Sequence, residues 1–205
     1  MILSFTQIYL KYKMNISGVI HVGAHHGEEV PVYINNGISK IVLFEPLEEN
    51  FDIIENHVKN YNANIIGHQV ALGSENKIVD MYLSSNQLES SSILKPKKHL
   101  ELYSNITFER TEKVEVKRLD DYNYTDYNLL NIDVQGYELE VLKGSEKTLQ
   151  YIDYIYCEVN DAEIYEGNAY ISDIDDYLSK YSFKRSETNW WENHGWGDAL
   201  YIKDN

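Results

Sequence analysis

The chain has 205 residues, of which 43% are hydrophobic and 25% charged. This length suits one compact domain, and the composition is that of a globular protein rather than a disordered or fibrous one. With 18 basic and 33 acidic residues the net charge is −15, which repels the phosphate backbone of nucleic acid, so we expect no nucleic-acid partner. No run reaches the roughly 20 apolar residues that span a bilayer, so we expect no membrane span. The single cysteine, Cys157, cannot form an internal disulfide, which favours a reducing, cytoplasmic location.

Short β-branched runs alternate with helical patterns along most of the chain, which predicts a mostly parallel sheet covered by helices. In chain order we predict a surface helix at 1–15, strands at 18–22, 40–45, 64–72, 77–84, 112–119, 127–133 and 152–160, and helices at 28–36, from Pro46 to about 58, at 136–150 and at 172–181. Ser172 with Asp175 resembles an N-terminal capping arrangement for the last helix. The two β-like runs 182–188 and 197–203 predict a terminal antiparallel hairpin around an aromatic loop at 189–198. We therefore expect one α/β domain over residues 1–205.

One polar stretch interrupts this alternation. Residues 85–96 read NQLESSSILKP after Ser85 and form the most loop-like part of the chain. We expect a mobile loop over residues 85–100, lying on the side of the fold where a substrate binds.

A glycine-containing turn follows the first predicted strand. In HVGAHHGEE, Gly23 and Gly27 let the backbone approach a ligand closely, and the following helix offers unpaired N–H groups. Glu45 ends the second strand about 20 residues later, where doubly wound folds place the acid that accepts hydrogen bonds from ribose hydroxyls. The spacing G-x-x-x-G lacks the middle glycine of a dinucleotide fingerprint. The alternatives are that Gly23 and Gly27 form an ordinary strand-to-helix turn without a ligand and that Glu45 is a solvent-exposed carboxylate at the end of a strand.

A second signal lies in NIDVQGYELEVLKGSE, residues 131–146. A strand ends at Asp133 and a helix begins near Gly136, so Asp133 is expected in the same crevice as Gly23 and Glu45. The alternative is that Asp133 only caps the following helix.

Together these residues resemble the FkbM-type methyltransferases, which bind S-adenosylmethionine (SAM) on a Rossmann-like sheet. The resemblance rests on VGAHHGE with a following FEP, on VALGSE, SSSIL and VKRLDDY, and on IDVQGYELEVLKG with a later CEVN. It covers about residues 18–160 and implies a mostly parallel seven-stranded sheet with a C-terminal antiparallel hairpin. It also implies O-methylation of a sugar or other hydroxyl group.

The resemblance, together with the residues at the strand ends and in the aromatic loop, assigns residues to each part of the site. Residues implied to hold SAM are His21, Gly23, Ala24, His25, Gly27, Glu45, Pro46, Ala71, Leu72 and Asp133. Residues expected near the acceptor are Ser91, Ser92, Gln135, Glu158, Asn160, Trp196 and Asp198. Among these, Glu45 would hold the ribose diol and Asp133 would lie beside the methionine end.

Three positions depart from the family pattern. His21 replaces the usual acid of the first strand, His25 the usual Asn, and Gln135 an acid near the acceptor. A neutral His21 cannot make the same charge-assisted contact with the SAM ammonium. With fewer carboxylates at hand, no metal is expected, because hard cations prefer several of them.

Methyl transfer needs a base or an orienting group beside the acceptor hydroxyl. Asp133 is the leading residue for this role, and His194, His25 and His26 are its rivals. The three tryptophans of residues 189–198 offer flat faces for sugars, although closing the hydrophobic core is an equally ordinary role.

We predict an SAM-dependent O-methyltransferase for a small-molecule or glycan acceptor. A nicotinamide-dependent oxidoreductase is one alternative, since Glu45 serves a nicotinamide dinucleotide equally well. A non-catalytic carbohydrate-binding module on a degenerate methyltransferase fold is another. The sequence leaves the oligomeric state open, with a homodimer as one arrangement.

Overall fold

The computed structural model describes residues 2–204. The strands are β1 (Val19–Val22), β2 (Lys40–Phe44), β3 (Asn64–His68), β4 (Ala71–Leu72), β5 (Lys77–Leu83), β6 (Arg110–Lys117), β7 (Leu129–Ile132), β8 (Tyr154–Asn160), β9 (Phe183–Trp190) and β10 (Trp196–Lys203). The helices are α1 (Phe5–Lys11), α2 (Val30–Asn35), α3 (Glu48–Val58), α4 (Lys98–Leu102), α5 (Glu138–Lys143) and α6 (Ile171–Ser179).

Seven strands form the central sheet in the order β3-β2-β1-β7-β8-β10-β9. The first five are parallel, while β10 is antiparallel to both β8 and β9. The order reverses between β1 and β7, and in open α/β sheets such a point opens a crevice at the carboxyl ends of the strands. The predicted α/β Rossmann-like fold with a terminal antiparallel hairpin is confirmed.

The two faces of this sheet differ in polarity near the carboxyl ends of the parallel strands. One face buries apolar side chains along its whole length, among them Ile20, Val42 and Ile132. The other is apolar at the base, with Val19 and Leu129, but its alternate positions nearer the carboxyl ends carry buried polar side chains. These are His21, Asn131, Glu158, Asn160 and Asp198. Polar groups are thus concentrated where the strands end.

A second sheet of three strands, in the order β4-β6-β5, was not predicted from the sequence. The single strand expected over residues 64–72 is wrong, because the chain turns after β3, where the N–H of Val70 donates to His68 O at 3.0 Å. After this turn β4 leaves the central sheet and pairs in parallel with β6. The small sheet has its own apolar core and covers one side of the crevice.

Several predicted helices are longer than the observed ones. The N-terminal helix spans Phe5–Lys11 rather than 1–15, and α5 ends at Lys143, where Gly144 follows and a separate 3-10 turn covers Thr148–Gln150. The predicted cap of α6 is also displaced, because its N-cap is Tyr170, whose N–H donates to Asp173. None of the helices within residues 2–204 is long and apolar enough to cross a membrane.

Two predicted loops are partly regular. Residues 85–100 include the start of α4, and a bridge between Tyr82 and Ser92 ties the polar stretch to β5. The aromatic loop predicted over 189–198 is a shorter turn, because the strands of the hairpin reach Trp190 on one side and begin again at Trp196 on the other.

Candidate active site

Two clefts open at the carboxyl ends of the parallel strands, as expected for an open α/β sheet. The first has a volume of about 550 Å³ and the second about 1440 Å³, both including space open to solvent. They share five wall residues, which we call the junction: Gly23, His25, Glu89, Asp133 and Gln135. The clefts therefore form one continuous groove.

The glycine turn after β1 brings the backbone of neighbouring strands close together. The N–H groups of Gly23 and Ala24 donate to Phe44 O at 2.9 and 3.0 Å. Gly23 has φ +80°, and a Cβ at this position would lie 1.8 Å from Asp133 O, so only glycine fits. Gly23 lines both clefts, whereas Ala24 and Gly27 lie behind the wall and shape the turn.

Glu45 follows β2 and is only 4% exposed in the first cleft. Its Oε2 accepts the N–H of His25 at 3.0 Å, and its Oε1 accepts the N–H of Leu47 at 3.0 Å and Asn50 Nδ2 at 3.3 Å. Burial raises the pKa of Glu45 to about 7, against the opposing effect of these hydrogen bonds. Among residues 2–204, the buried Oδ1 of Asn50 finds no hydrogen-bond partner. Polar groups at the base of this cleft are thus available to a ligand.

The remaining walls of the first cleft are mostly apolar. Predicted residues Pro46, Ala71 and Leu72 lie in them, and they are joined by Phe44, Val70, Met81, Leu88, Ile93 and Val134. A slot of this kind takes a flat heterocycle by burial of apolar surface. An apolar slot with a buried carboxyl group at its base offers the two features that a nucleoside requires, apolar surface for the base and acceptor oxygens for the ribose hydroxyls.

At the junction, Gln135 links two carboxyl groups. Its Nε2 donates to Asp133 Oδ1 at 2.8 Å and to Glu158 Oε2 at 2.9 Å, while its Oε1 accepts the hydroxyl of Tyr165 at 2.8 Å. Gln135 adopts φ +55°, a conformation uncommon for a residue with a side chain. Within residues 2–204 no group donates to Asp133 Oδ2. This oxygen is free to bind a ligand where the two clefts meet.

The carboxyl groups around Asp133 favour their neutral forms. Burial and the nearby charges of Asp133 and Glu138 raise the pKa of Glu158 well above its usual value. Burial also raises the pKa of Glu138 to about 7, although its Oε1 accepts the N–H groups of Val134 at 3.2 Å and Gly136 at 2.9 Å. Glu138 therefore fixes the turn after β7 that carries Asp133 and Gln135.

His21 is 1% exposed and lines the second cleft, not the first. Asn131 Nδ2 donates to the Tyr33 hydroxyl at 2.6 Å, and that hydroxyl lies 3.3 Å from His21 Nδ1. Burial lowers the pKa of His21, which keeps the ring neutral. In the tautomer that accepts the Tyr33 proton at Nδ1, the ring proton of His21 lies on Nε2.

The two predicted acceptor serines are used by the loop itself. Ser91 Oγ accepts the N–H of Ser84 at 3.0 Å, and Ser92 Oγ donates to Gln135 O at 2.7 Å. Ser91 lies in the wall of the first cleft, and Ser92 is completely buried behind Gln135. In this arrangement the serines hold the loop against the junction.

Aromatic side chains form the outer wall of the second cleft. Trp196 and Trp191 lie in it with their rings stacked 5.7 Å apart. Trp196 Nε1 donates to the Tyr103 hydroxyl at 2.9 Å, and that hydroxyl contacts His194 Nδ1 at 3.0 Å. His194 itself lies behind Tyr103, outside both walls, and Trp190 packs against the hydrophobic core. The structure does not bring His194 to the junction.

Two further predicted residues lie below the second cleft rather than in its wall. Asp198 accepts hydrogen bonds from the N–H of Ile2, from the N–H of Leu3 at 2.7 Å and from the hydroxyl of Tyr156 at 3.1 Å. Asn160 is 1% exposed and its side-chain amide has no partner within the described residues. Asp198 holds the N-terminal segment against the sheet, and Ile2 of that segment lines the second cleft.

One group of side chains near the junction has donor atoms close enough for a metal ion. These atoms, from His25, His26 and Glu28, lie within 4.8 Å of one another. The two imidazole rings are stacked 3.7 Å apart and nearly parallel, at 21°, so they would have to rotate before one ion could lie in both ring planes. His25 and Glu28 instead pair with each other, Nδ1 to Oε1, at 2.8 Å.

Sequence reasoning missed several residues of the groove. Asn50 and Glu89 line the first cleft, and Tyr103 and Trp191 line the second. Asn50 carried a usable signal, because it lies one turn into the helix that follows Glu45. Tyr103 carried none, because only tertiary folding brings it to Trp196.

The sequence matches the methyltransferase FkbM domain family over residues 21–185. It is 33% identical over 123 residues to 2-O-methyltransferase NoeI of Sinorhizobium fredii, covering 55% of this chain and 51% of that protein. The chain spans about half the length of the curated relatives it matches.

Solved structures show the same fold. Methyltransferase FkbM from Methylobacillus flagellatus KT superposes with a TM-score of 0.61 at 15% identity, covering 91% of this chain and 43% of that one. Magnesium protoporphyrin IX methyltransferase (ChlM) from Synechocystis PCC 6803, solved with bound SAM, superposes with a TM-score of 0.55 at 8% identity, covering 97% and 76%. At these identities the likeness shows the fold. The family match over most of the chain confirms the resemblance seen in the sequence, and the chain belongs to the methyltransferase FkbM domain family.

Proposed function

We propose that this chain is an SAM-dependent O-methyltransferase that modifies a hydroxyl group of a sugar or glycan-type acceptor. The observation that carries the proposal is the free Oδ2 of Asp133 at the junction of two clefts. One cleft fits a nucleoside, and the other is large enough for an acceptor. A methyl donor and a hydroxyl group would thus meet at a carboxylate.

The first cleft would hold SAM by two kinds of contact. Glu45 would accept the two ribose hydroxyls, and Ala71 and Leu72 would lie against the adenine ring. Gly23 would pass beside the methionine end, where its missing side chain leaves room. His21 lines the second cleft together with Gly23 and offers a neutral ring rather than a carboxylate, so it suits the carboxylate of a methionine group that reaches past Gly23 better than the ammonium.

When bound, SAM supplies a methyl group already activated on a positively charged sulfur. The protein then has to orient the acceptor oxygen and hold its proton. Asp133 Oδ2 would accept the hydrogen bond of the acceptor hydroxyl and take up its proton as the carbon–oxygen bond forms. Gln135 holds the other oxygen of Asp133 at 2.8 Å, which fixes the direction in which Oδ2 points.

Two observations support oxygen as the methylated atom and a sugar as the acceptor. The relative from Sinorhizobium fredii is named a 2-O-methyltransferase. The stacked rings of Trp191 and Trp196 give the second cleft an aromatic wall of the kind that packs against sugar C–H groups.

Calorimetric titration with SAM, S-adenosylhomocysteine (SAH) and NADH tests the proposal. We expect SAM and SAH to bind with one site per chain and NADH to give no saturable heat. Binding of NADH in place of SAM would favour an oxidoreductase. SAM binding without methyl transfer to any member of a broad glycan panel would favour a carbohydrate-binding module.

A further inference from the structure

The second cleft is strongly acidic. Its wall includes five carboxyl side chains, and no Lys or Arg from residues 2–204 contributes to it. The carboxyl groups belong to Glu28, Glu29, Glu89, Asp133 and Glu158. Glu158 adds little to the negative charge, because burial and its acidic neighbours raise its pKa well above the usual value. A cleft lined by one sign of charge concentrates ligands of the opposite sign.

The histidines of this wall do not cancel that charge. Burial lowers the pKa of His99 to about 4 and also lowers the pKa of His21, so both rings are neutral near pH 7. His25 is the exception: despite partial burial, its hydrogen bond to Glu28 raises its pKa to about 9. Its charge is matched by Glu28 at 2.8 Å, which leaves Glu29, among other carboxylates, uncompensated.

Two nearby lysines are paired with carboxylates outside this wall. Lys95 pairs with Glu166 at 3.0 Å, and Lys97 pairs with Glu163. A bound SAM adds one net positive charge beside Asp133. Glu29 and Glu89 still remain without a cationic partner in the wall.

A half-bonded carboxyl group in the wall points to a ligand independently of this charge. Glu158 is 5% exposed and lines the second cleft. Its Oε2 accepts Gln135 Nε2 at 2.9 Å, but within the described chain no group bonds to its Oε1. This oxygen is not fully buried, so a ligand in the cleft can reach it and donate a hydrogen bond to it.

We infer that the second cleft selects a hydroxylated acceptor bearing a protonated amine, such as an amino sugar, and rejects phosphorylated or carboxylated acceptors. The positive charge of the amine would favour the ionised form of Glu158, so that Oε1 accepts its hydrogen bond, while Glu29 and Glu89 supply the surrounding negative charge. The sugar face would pack on Trp196. This inference deepens the proposed function and rests on it.

The test compares three ligands that differ mainly in charge: D-glucosamine, D-glucose and D-glucose 6-phosphate. Each is titrated into the full chain saturated with SAH, and binding is followed through the indole N–H signals of the three tryptophans by NMR, with Trp→Phe variants to assign them. We expect D-glucosamine to shift the Trp196 signal and to bind at least about 5-fold tighter than D-glucose at low salt. The advantage should shrink at about 0.5 M salt, and D-glucose 6-phosphate should bind more weakly than either.

A charge-neutral variant sharpens the test. Glu29→Gln is expected to reduce the preference for D-glucosamine over D-glucose, whereas Glu55→Gln, an exposed position on α3, should leave it unchanged. Equal or tighter binding of D-glucose 6-phosphate would overturn the inference, as would failure of all three ligands to shift the Trp196 signal. Calorimetry with SAH on the same sample distinguishes failure of the inference from failure of the proposed function. If SAH binds and D-glucosamine is not preferred, only the inference fails. If SAH does not bind, the proposed function fails.

Discussion

The two clefts are built in different ways from the same strand ends. The first is built around the turn after β1, the end of β2 and β4, all within residues 18–72, and residues 81–93 and 133–137 complete its walls, which are mostly apolar around Glu45. The second shares the turn after β1 but adds the N-terminal segment, α4 and the terminal hairpin, and its walls are acidic and aromatic. The motifs around Gly23 and Glu45 are therefore local in the sequence, whereas the other walls of both clefts come from segments that only tertiary folding brings together.

Replacing Gly23 is expected to have the largest effect on SAM affinity, and a control glycine separates the cost of backbone strain from the cost of lost space in the first cleft. Gly23→Ala puts a methyl group 1.8 Å from Asp133 O at φ +80°, so the turn must move and SAM affinity should fall at least about 100-fold. Gly37→Ala is the matched control, because it has φ +82° but no neighbouring atom within 4 Å. Calorimetry and thermal melting measure both variants. Equal SAM affinity in the two would show that Gly23 does not form the binding surface.

A change at the junction should separate chemistry from binding. Asp133→Asn keeps the shape but removes the charge that accepts the proton, so we expect a loss of about 10²–10⁴-fold in turnover with SAM affinity mostly retained. Asp176→Asn, at an exposed position of α6, is the control. Turnover is measured by methyl transfer from labelled SAM to an identified acceptor, and unchanged turnover in Asp133→Asn would remove Asp133 from the role of base.

The first cleft should depend on pH through Glu45. Because the pKa of Glu45 in the folded protein is about 7, its ionised form, which accepts the ribose hydroxyls, increases as pH rises from 6 to 8. SAM affinity should therefore rise over this range. Glu45→Gln should lower affinity about 10- to 100-fold at pH 8 and abolish the pH dependence. Glu48→Gln, exposed in the first turn of α3, should behave as the unmodified protein.

Glu45 should also make the stability of the ligand-free protein depend on pH, with stability falling where SAM affinity rises. A carboxyl whose pKa is higher in the folded than in the unfolded state binds more protons when folded, so stability without ligand falls as pH rises from about 4.5 to 7. Glu45→Gln should flatten this part of the curve of unfolding free energy against pH in urea titrations. Glu138, whose pKa is also raised to about 7 by burial, contributes a slope of the same sign that the variant retains. An unchanged slope in Glu45→Gln would contradict the assignment.

The smallest expected effect concerns the support of the junction. The Tyr165 hydroxyl lies 2.8 Å from Gln135 Oε1 and 3.0 Å from Ser90 O, and these two acceptors share its single proton. Tyr165→Phe should lower turnover about 3- to 10-fold through looser placement of Asp133 while leaving SAM affinity unchanged, and should cost about 1 kcal/mol in stability. Tyr151→Phe, at an exposed position, provides the control in both assays. A change in SAM affinity instead of turnover would place Tyr165 in the first cleft.

The sequence predicted the central sheet because its strands are short, buried runs with clear periodicity, and it placed Gly23, Glu45 and Asp133 in one groove because parallel strands end at the same edge. It did not predict the small second sheet, because His68, Gln69 and Val70, where the chain turns, are not residue types that mark a turn. The bond between Gln135 and Glu158 was not predictable either, since it depends on the φ of +55° at Gln135. The positions of His194 and Asp198 depend on contacts with Tyr103 and the N-terminal segment, which no local pattern encodes.

A crystal structure of the chain with SAH tests the central claim most directly. The account predicts SAH in the first cleft, with both ribose hydroxyls within hydrogen-bond distance of Glu45 and the sulfur directed toward Asp133 Oδ2 at the junction. SAH bound in the second cleft, or with its ribose away from Glu45, would contradict it.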